Sequence, residues 1–264
     1  MQREDVLTKA LRQAGQEILK YDPSTVETSI KQNEGDLVTA ADLASEKIIV
    51  ETITSHFPGD VVISEETAEG HTALKEENLP KLTAWVVDPI DGTNNFKHGM
   101  AYSGISIGYI ESGKPILGGI LDPYRGVIYL AKENQGATCN GKSINVSGRQ
   151  DFNPGTRVCT SNSSAAGGTL ANLDRFKSLG DVWVDVLGSA VLIMADVASG
   201  KLDLYYHNGL KPWDNAAAFL IAQEAGAKIA GLHGQDVSWL TGEAVVGNPV
   251  LVDLFVEKTA QSYS

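Results

Sequence analysis

Cysteine is scarce in this chain: Cys139 and Cys159 are the only two, with no CxxC pair and no Cys/His cluster around either. That spacing removes the basis for a disulfide framework, a structural zinc site or a dithiol redox centre, and both read as reduced core or strand residues. Basic residues are outnumbered, 21 Lys and Arg against 33 Asp and Glu, for a formal net charge of -12. Such a surface repels phosphate backbones, so no nucleic-acid partner is expected. No stretch reaches the ~18 apolar residues of a membrane span, and Met1 to Lys20 mixes charges with apolar residues instead of presenting a signal core. The expectation is a cytoplasmic protein with no membrane partner. Proline is low, 9 against 27 glycines, which points to tight turns and not to disorder. What remains is ordinary: 264 residues, 42% hydrophobic, are enough to bury a core without staples, as one domain or two subdomains sharing an interface.

Val6, Leu7, Ala10, Leu11, Ala14 and Ile18 recur at helical spacing and predict an amphipathic first helix. Thr39 followed by Asp42 resembles a capping box, and Ile48, Ile49, Ile53 and Phe57 continue the apolar face to Pro58-Gly59. Two short apolar strands follow, Val61 to Ile63 and Ala84 to Val87, separated by a polar excursion from Thr67 to Lys81. Both strands end in acids: the first in Glu65-Glu66, the second in Asp88-Pro89, where proline is expected to stop the ladder. From Ser103 to about Val146 the pattern is an antiparallel meander broken at Ser112-Gly113, Asp122-Pro123 and Asn140-Gly141. Ser147 to Gly155 is the expected boundary between an N-terminal α+β subdomain, 1–150, and a C-terminal α/β subdomain, 151–264. In the latter, strands at Arg157 to Thr160, Val182 to Leu187, Leu202 to Tyr206 and Val245 to Val246 alternate with helices. Those helices are predicted at Leu170 to Leu179, Ala190 to Ala198, Asn215 to Ala225 and Val250 to Gln261.

The stretch with most chemical content is Trp85-Val86-Val87-Asp88-Pro89-Ile90-Asp91-Gly92-Thr93, in which an apolar strand delivers two carboxylates into a turn. Gly92 permits a turn whose backbone N–H groups point at an anion. Taken alone, an Asp-rich turn also caps its own backbone. Glu65 and Asp214 add further acids, and hard oxygen ligands of this kind suit Mg²⁺, which keeps several waters and shares sites with phosphate. Asp214, after Pro212-Trp213, equally fits a helix N-cap, and Glu65 a solvated charge.

Ile63-Ser64-Glu65-Glu66, Trp85 through Thr93 with Phe96, and Trp213-Asp214 running into Gln223-Glu224-Ala225-Gly226 together resemble the inositol monophosphatase family. Asp36 to Asp42 and Gly188-Ser189-Ala190 match further segments, so the likeness covers nearly the whole chain. The resemblance implies the layered αβαβα sandwich shared with fructose-1,6-bisphosphatase, an α+β fold, usually assembled as a homodimer. It implies a phosphomonoesterase acting on a small phosphorylated substrate through two or three Mg²⁺ ions, with lithium sensitivity. Carried over residue by residue, Glu65, Asp88 and the carbonyl of Ile90 would hold one ion and Asp88, Asp91 and Asp214 a second. Glu65 would also contact a third ion. Thr93 with Asp42 would orient or deprotonate the attacking water, and the Gly92 and Thr93 amides would cradle phosphate. Asp91, Gly188, Ser189, Ala190 and His207 would line the substrate pocket.

His207 marks a departure, since relatives that prefer inositol phosphates usually carry Glu there, so inositol is not implied as the alcohol. Lys211 reads as a solvated lysine or an anion contact. His56, His71 and His233 have no metal spacing and read as turn or surface residues, while His98, close behind the motif, reads as a surface residue or a lining of the site entrance. Ala165-Ala166-Gly167-Gly168 lacks the ending of a P-loop. A haloacid-dehalogenase-type hydrolase would need an Asp-x-Asp-Gly-Thr motif near the chain start, and Asp88 and Asp91 are too far apart and too late. The rival from another class is a non-catalytic metabolite-binding member of the same fold, against which the full set of acids with Thr93 argues.

Overall fold

The computed structural model describes residues 1–30, 37–67, 71–162 and 167–262. Asp36 of the early motif and Ala165-Ala166 of the glycine-rich run lie outside the described residues. In chain order, α1 (Arg3–Ile18), β1 (Thr28–Ile30), β2 (Leu37–Thr39) and α2 (Ala40–His56) come first. Then follow β3 (Val62–Ser64), β4 (Ala84–Asp91), α3 (Thr93–Lys97), β5 (Gly104–Glu111), β6 (Lys114–Asp122), β7 (Val127–Lys132), β8 (Ala137–Cys139) and β9 (Lys142–Ser143). The rest comprises β10 (Arg157–Thr160), α4 (Gly168–Phe176), β11 (Trp183–Val186), α5 (Ala190–Ala198), β12 (Leu204–Asn208), α6 (Pro212–Glu224), β13 (Lys228–Ala230), β14 (Glu243–Gly247) and α7 (Pro249–Ser262).

Strands β3 to β9 form one seven-stranded sheet in sequence order, and a five-stranded sheet runs β11-β10-β12-β14-β13. Alternation along each strand divides the apolar side chains into layers. Trp85 and Val87 of β4 face α1 and α2, in a core with Leu7, Leu11, Ile49 and Ile53. Val86 faces the other way, into a core with α5, α6 and Tyr205 and Val246 of the second sheet. The second sheet's outer face, with Leu204 and Tyr206, is closed by Phe176 at the end of α4 and by Leu251 and Phe255 of α7. The result is the αβαβα sandwich, with α5 and α6 as its buried middle layer. Helix α6 sits unusually close to the first sheet because a Cβ on Gly108 or Gly118 would fall 2.9 Å from Ala216 or 3.0 Å from Ala217. That approach brings the first turn of α6, with Asp214, to the ends of β3 and β4.

Two expectations fail for local reasons. Pro89 does not end β4: pairing lapses after Asp88↔Ser106 and resumes at Asp91↔Gly104, so the missing N–H falls within a shift of register. The hairpin of β1 with β2 and strand β13 escape prediction because three residues are too few to show alternation. No helix among the described residues is long and apolar enough to cross a membrane.

Candidate active site and metal centre

Two parallel strands aim acids in the same direction. β3 pairs with β4 so that Ser64 lies opposite Val87, and Glu65 N donates to Val87 O at 3.1 Å, which brings Glu65 level with Asp88. Ile63 and Val86 both point into the middle layer, so two residues further on Glu65 and Asp88 turn toward α6 as well. There Asp88, Asp91 and Asp214 each offer a carboxylate oxygen within 4.8 Å of the others.

Each of these acids is held off its ordinary ionisation. Burial, then the charges of Glu65, Asp91 and Asp214, push Asp88 well above the usual carboxylate range. Burial raises Asp91 to about 7 against hydrogen bonds that oppose it: Ser189 Oγ donates to Asp91 Oδ2, and Val191 N donates to the same oxygen at 2.9 Å. Burial and then Asp91 also raise Asp214, although Lys211 N donates to its Oδ2 at 2.7 Å. Asp88 is 1% exposed, and its Oδ1 is buried with no hydrogen-bond partner. A buried carboxylate oxygen left unpaired among like charges is costly, and a divalent cation removes that cost. The donor set, hard and anionic, fits Mg²⁺.

The second feature is a chain of hydrogen bonds from Thr39 through Asp42 to Thr93. Thr39 and Asp42 do form the capping box at the start of α2, with Thr39 N and Oγ1 donating to Asp42 Oδ2 at 2.8 and 2.5 Å. The other oxygen, Oδ1, lies 3.0 Å from Thr93 Oγ1, which is also 3.0 Å from Ile90 O and has one proton to give to either. Asp42 is fully buried, and that burial lifts it to about 6. One helical turn on, buried Ser45 donates to Pro89 O at 2.8 Å and supports the segment where the ladder lapses. Ser45 escaped notice in the sequence, though a polar residue three positions after Asp42 shares its helix face.

Gly92 links the two features. Its φ of 86° is left-handed, and a Cβ there would come 3.0 Å from Gly188 O and 3.2 Å from Ser189 Cβ. Ser189 caps α5, and its hydroxyl and the Val191 amide are committed to Asp91, so this loop acts on the carboxylate directly. Glu65 stands outside the group of three acids, yet its charge acts on Asp42, Asp88, Asp91 and Asp214. His207, on β12, is 4% exposed, stacks parallel on Tyr205 at 5.9 Å and meets Asn172 Nδ2 through Nδ1 at 3.0 Å. Burial lowers it to about 4, so the imidazole is neutral near pH 7. Lys211 and His98 are exposed. Glu224 holds the turn between β7 and β8, accepting from Asn134 N and Gly136 N at 2.7 and 2.6 Å.

The model described as the inositol monophosphatase family matches residues 2–263. The chain is 32% identical over 227 residues to inositol monophosphatase 1 of Bos taurus, across 84% of this chain and 80% of that protein. It is 34% identical over 255 residues to the Nus factor SuhB of Escherichia coli K12, across 94% of this chain and 92% of that protein. The solved structure of the Thermotoga maritima IMPase is similar with a TM-score of 0.86 and 28% identity, over 99% of this chain and 98% of that one.

Proposed function

The chain belongs to the inositol monophosphatase family, and from that premise we propose that it hydrolyses a small phosphorylated metabolite with Mg²⁺ held by Glu65, Asp88, Asp91, Asp214 and the carbonyl oxygen of Ile90. Membership makes it a phosphoric monoester hydrolase. The observation that carries the metal reading is the orphaned Asp88 Oδ1, buried where the other acids converge. When bound, the ions supply a lowered pKa for water and neutralise charge on the leaving oxygen.

The chain's own groups do the rest. Asp91 is pre-oriented by the Ser189 hydroxyl and the Val191 amide, both of which donate to Oδ2, and would turn its Oδ1 side to the ion. The Gly92 and Thr93 amides take the phosphoryl oxygens at the turn that Gly92 makes possible. Thr93 Oγ1 accepts the proton that the attacking water loses as its own proton passes to Asp42 Oδ1, 3.0 Å away. An acid lifted to about 6 is a competent acceptor near neutral pH, because its proton affinity approaches what the step needs.

The alcohol is the open variable. Its candidates are inositol monophosphate, another sugar phosphate or bisphosphate, histidinol phosphate and nucleotide phosphates. Specificity rests on a few groups beside the leaving oxygen, among which we place His207. Phosphate release from that panel, with Mg²⁺ and with excess chelator, tests the reading. Release that survives the chelator sinks it, and ligand binding without any release would make the chain a non-catalytic binder. The resemblance further implies a homodimer, which sedimentation would reveal, and inhibition by lithium.

A further inference from the structure

His71 lies in the polar excursion after β3 and belongs to no motif, yet it touches neighbours of two proposed ligands. Its Nε2 is 2.6 Å from the carbonyl oxygen of Ser64, the residue before Glu65. A carbonyl only accepts, so Nε2 carries the proton. The ring lies on the indole of Trp213, the residue before Asp214, with centroids 4.8 Å apart and planes inclined at 30°.

These contacts complete a circuit. Ser64 is registered opposite Val87, and Asp88, the next residue of β4, opposite Ser106 of β5. Ser106 Oγ donates to Trp213 O at 3.4 Å, Trp213 stacks on His71, and His71 returns to Ser64. The other links are a sheet ladder and a buried serine. β3, by contrast, is an edge strand of three residues, paired among the described residues with β4 alone, and just past it Glu65 N donates to Val87 O and Thr67 Oγ1 to Glu46 Oε1.

We infer that His71 is a positioning residue: it closes a ring of contacts around the carboxylates and sets the separation of Glu65 from Asp214, and through it the affinity for a divalent cation. The inference rests on the reading of those two acids as ligands. Groups that orient metal ligands without touching the ion typically govern about 10- to 100-fold in metal affinity. Two partial replacements separate the contacts: His71→Gln keeps a donor for Ser64 O without the ring, and His71→Phe keeps the ring without the donor.

Mg²⁺ binding to the whole protein, measured by titration calorimetry, is compared among wild type, His71→Ala, His71→Gln, His71→Phe and Asp88→Asn, beside the Mg²⁺ dependence of kcat. His71→Ala should weaken Mg²⁺ binding by about 10-fold or more, with Gln and Phe each recovering part of the loss. Turnover at saturating Mg²⁺ should fall less than the affinity does. A Kd within twofold of wild type in His71→Ala, while Asp88→Asn abolishes binding, overturns the brace and leaves the metal reading intact. Wild type that binds no Mg²⁺ and works in chelator removes the reading beneath it. Should His71→Ala not fold, wild-type affinity in both His71→Gln and His71→Phe is the overturning result. A merely structural His71 would lower the melting temperature equally with and without Mg²⁺ and leave Kd unmoved.

Discussion

Two buried carboxylates, Asp88 and Asp196, separate what an acid does for the fold from what it does for a ligand. Asp196, 6% exposed on α5, is satisfied on both oxygens. Oδ1 accepts from Tyr129 OH at 3.1 Å and Lys201 Nζ at 2.7 Å, and Oδ2 accepts from Tyr102 OH at 3.2 Å with Arg125 Nη2 at 3.6 Å. Asp88, 1% exposed, has an oxygen with no partner, and the charges that act on it are other acids. A buried acid of the first kind stabilises its surroundings; one of the second kind is tolerated because something positive is meant to arrive. Helix α5 joins the two regions. Its last turn is tied down through Asp196, and its first turn turns the Ser189 hydroxyl and the Val191 amide toward Asp91. The satisfied acid thus holds rigid the element that orients the strained ones.

The comparison breaks most plainly at Asp88. Asp88→Asn should lower phosphate release by at least ~10²-fold, the scale of one lost electrostatic stabiliser of a transition state. It should also raise the melting temperature of the metal-free protein, because a like charge leaves the cluster. Asp196→Asn should do the reverse, with activity near wild type at low temperature and a lower melting temperature. If Asp88→Asn melts earlier than wild type without metal, Asp88 is a structural acid and the contrast is wrong.

Thr93→Ala probes the same site without touching its charge. Turnover should fall by roughly 10²-fold, within the usual range for general acid–base groups, and KM should change far less. A loss below about threefold in single-turnover assays would reduce Thr93 to a turn former. In Asp196→Asn the cost is one of stability, about 1–3 kcal/mol, discounted from the value for a broken buried pair because Lys201 and Arg125 are 47% and 40% exposed. That is a fall of several degrees, and the Mg²⁺-induced rise in melting temperature should survive it.

Removing metal should expose the strain as a pH dependence. Asp42 and Asp91 hold protons in the fold up to about 6 and about 7, while unfolded aspartates release them near their ordinary value. Between these limits the folded state binds more protons than the unfolded one, so metal-free stability should fall as pH rises from about 4 to about 7. Saturating Mg²⁺ should remove the share of Asp91 from the curve, because a ligated carboxylate no longer competes for protons, and leave a shallower slope. Melting curves at several pH values, with Mg²⁺ and with chelator, check this; equal slopes in both would mean that Asp91 does not meet the ion.

Residues joined by short covalent spacing were legible beforehand. Asp88 to Thr93 could be read because a strand, a proline and a glycine fall within a few positions, and Thr39 with Asp42 because a capping box is local. Contacts made through backbone atoms, or between distant segments, left no pattern. His71 meets Ser64 by its carbonyl and Trp213 by ring stacking. The four partners of Asp196 come from separate stretches of the chain, one strand and three loops, and nothing in its position inside an apolar helix points to them. Resemblance supplied the pairing of Thr93 with Asp42, which spacing alone could not.

His207 stands between the two kinds of group. Like Asp196 it is buried and partnered, its Nδ1 committed to Asn172. Unlike Asp196 it has a neighbour that feels the acids: Tyr205, two residues before it on β12, has a buried hydroxyl without a partner and feels Asp214, Cys159 and Asp91 after its own burial, whereas burial alone acts on His207. On the proposed reading, in which His207 faces the leaving alcohol, the neutral imidazole would offer one weak polar group where the family resemblance implies a carboxylate for inositol phosphates. His207→Glu should raise kcat/KM for inositol monophosphate relative to a substrate with a second phosphate by about 5- to 10-fold, the worth of one charge-assisted hydrogen bond discounted for burying the new charge. The metal dependence should not change. Because Glu at a buried site also risks destabilising β12, His207→Gln, neutral and able to keep the Asn172 contact, is the control and should leave the ratio within about twofold. An unchanged ratio in a folded His207→Glu protein would assign the imidazole to the fold alone, on the side of Asp196.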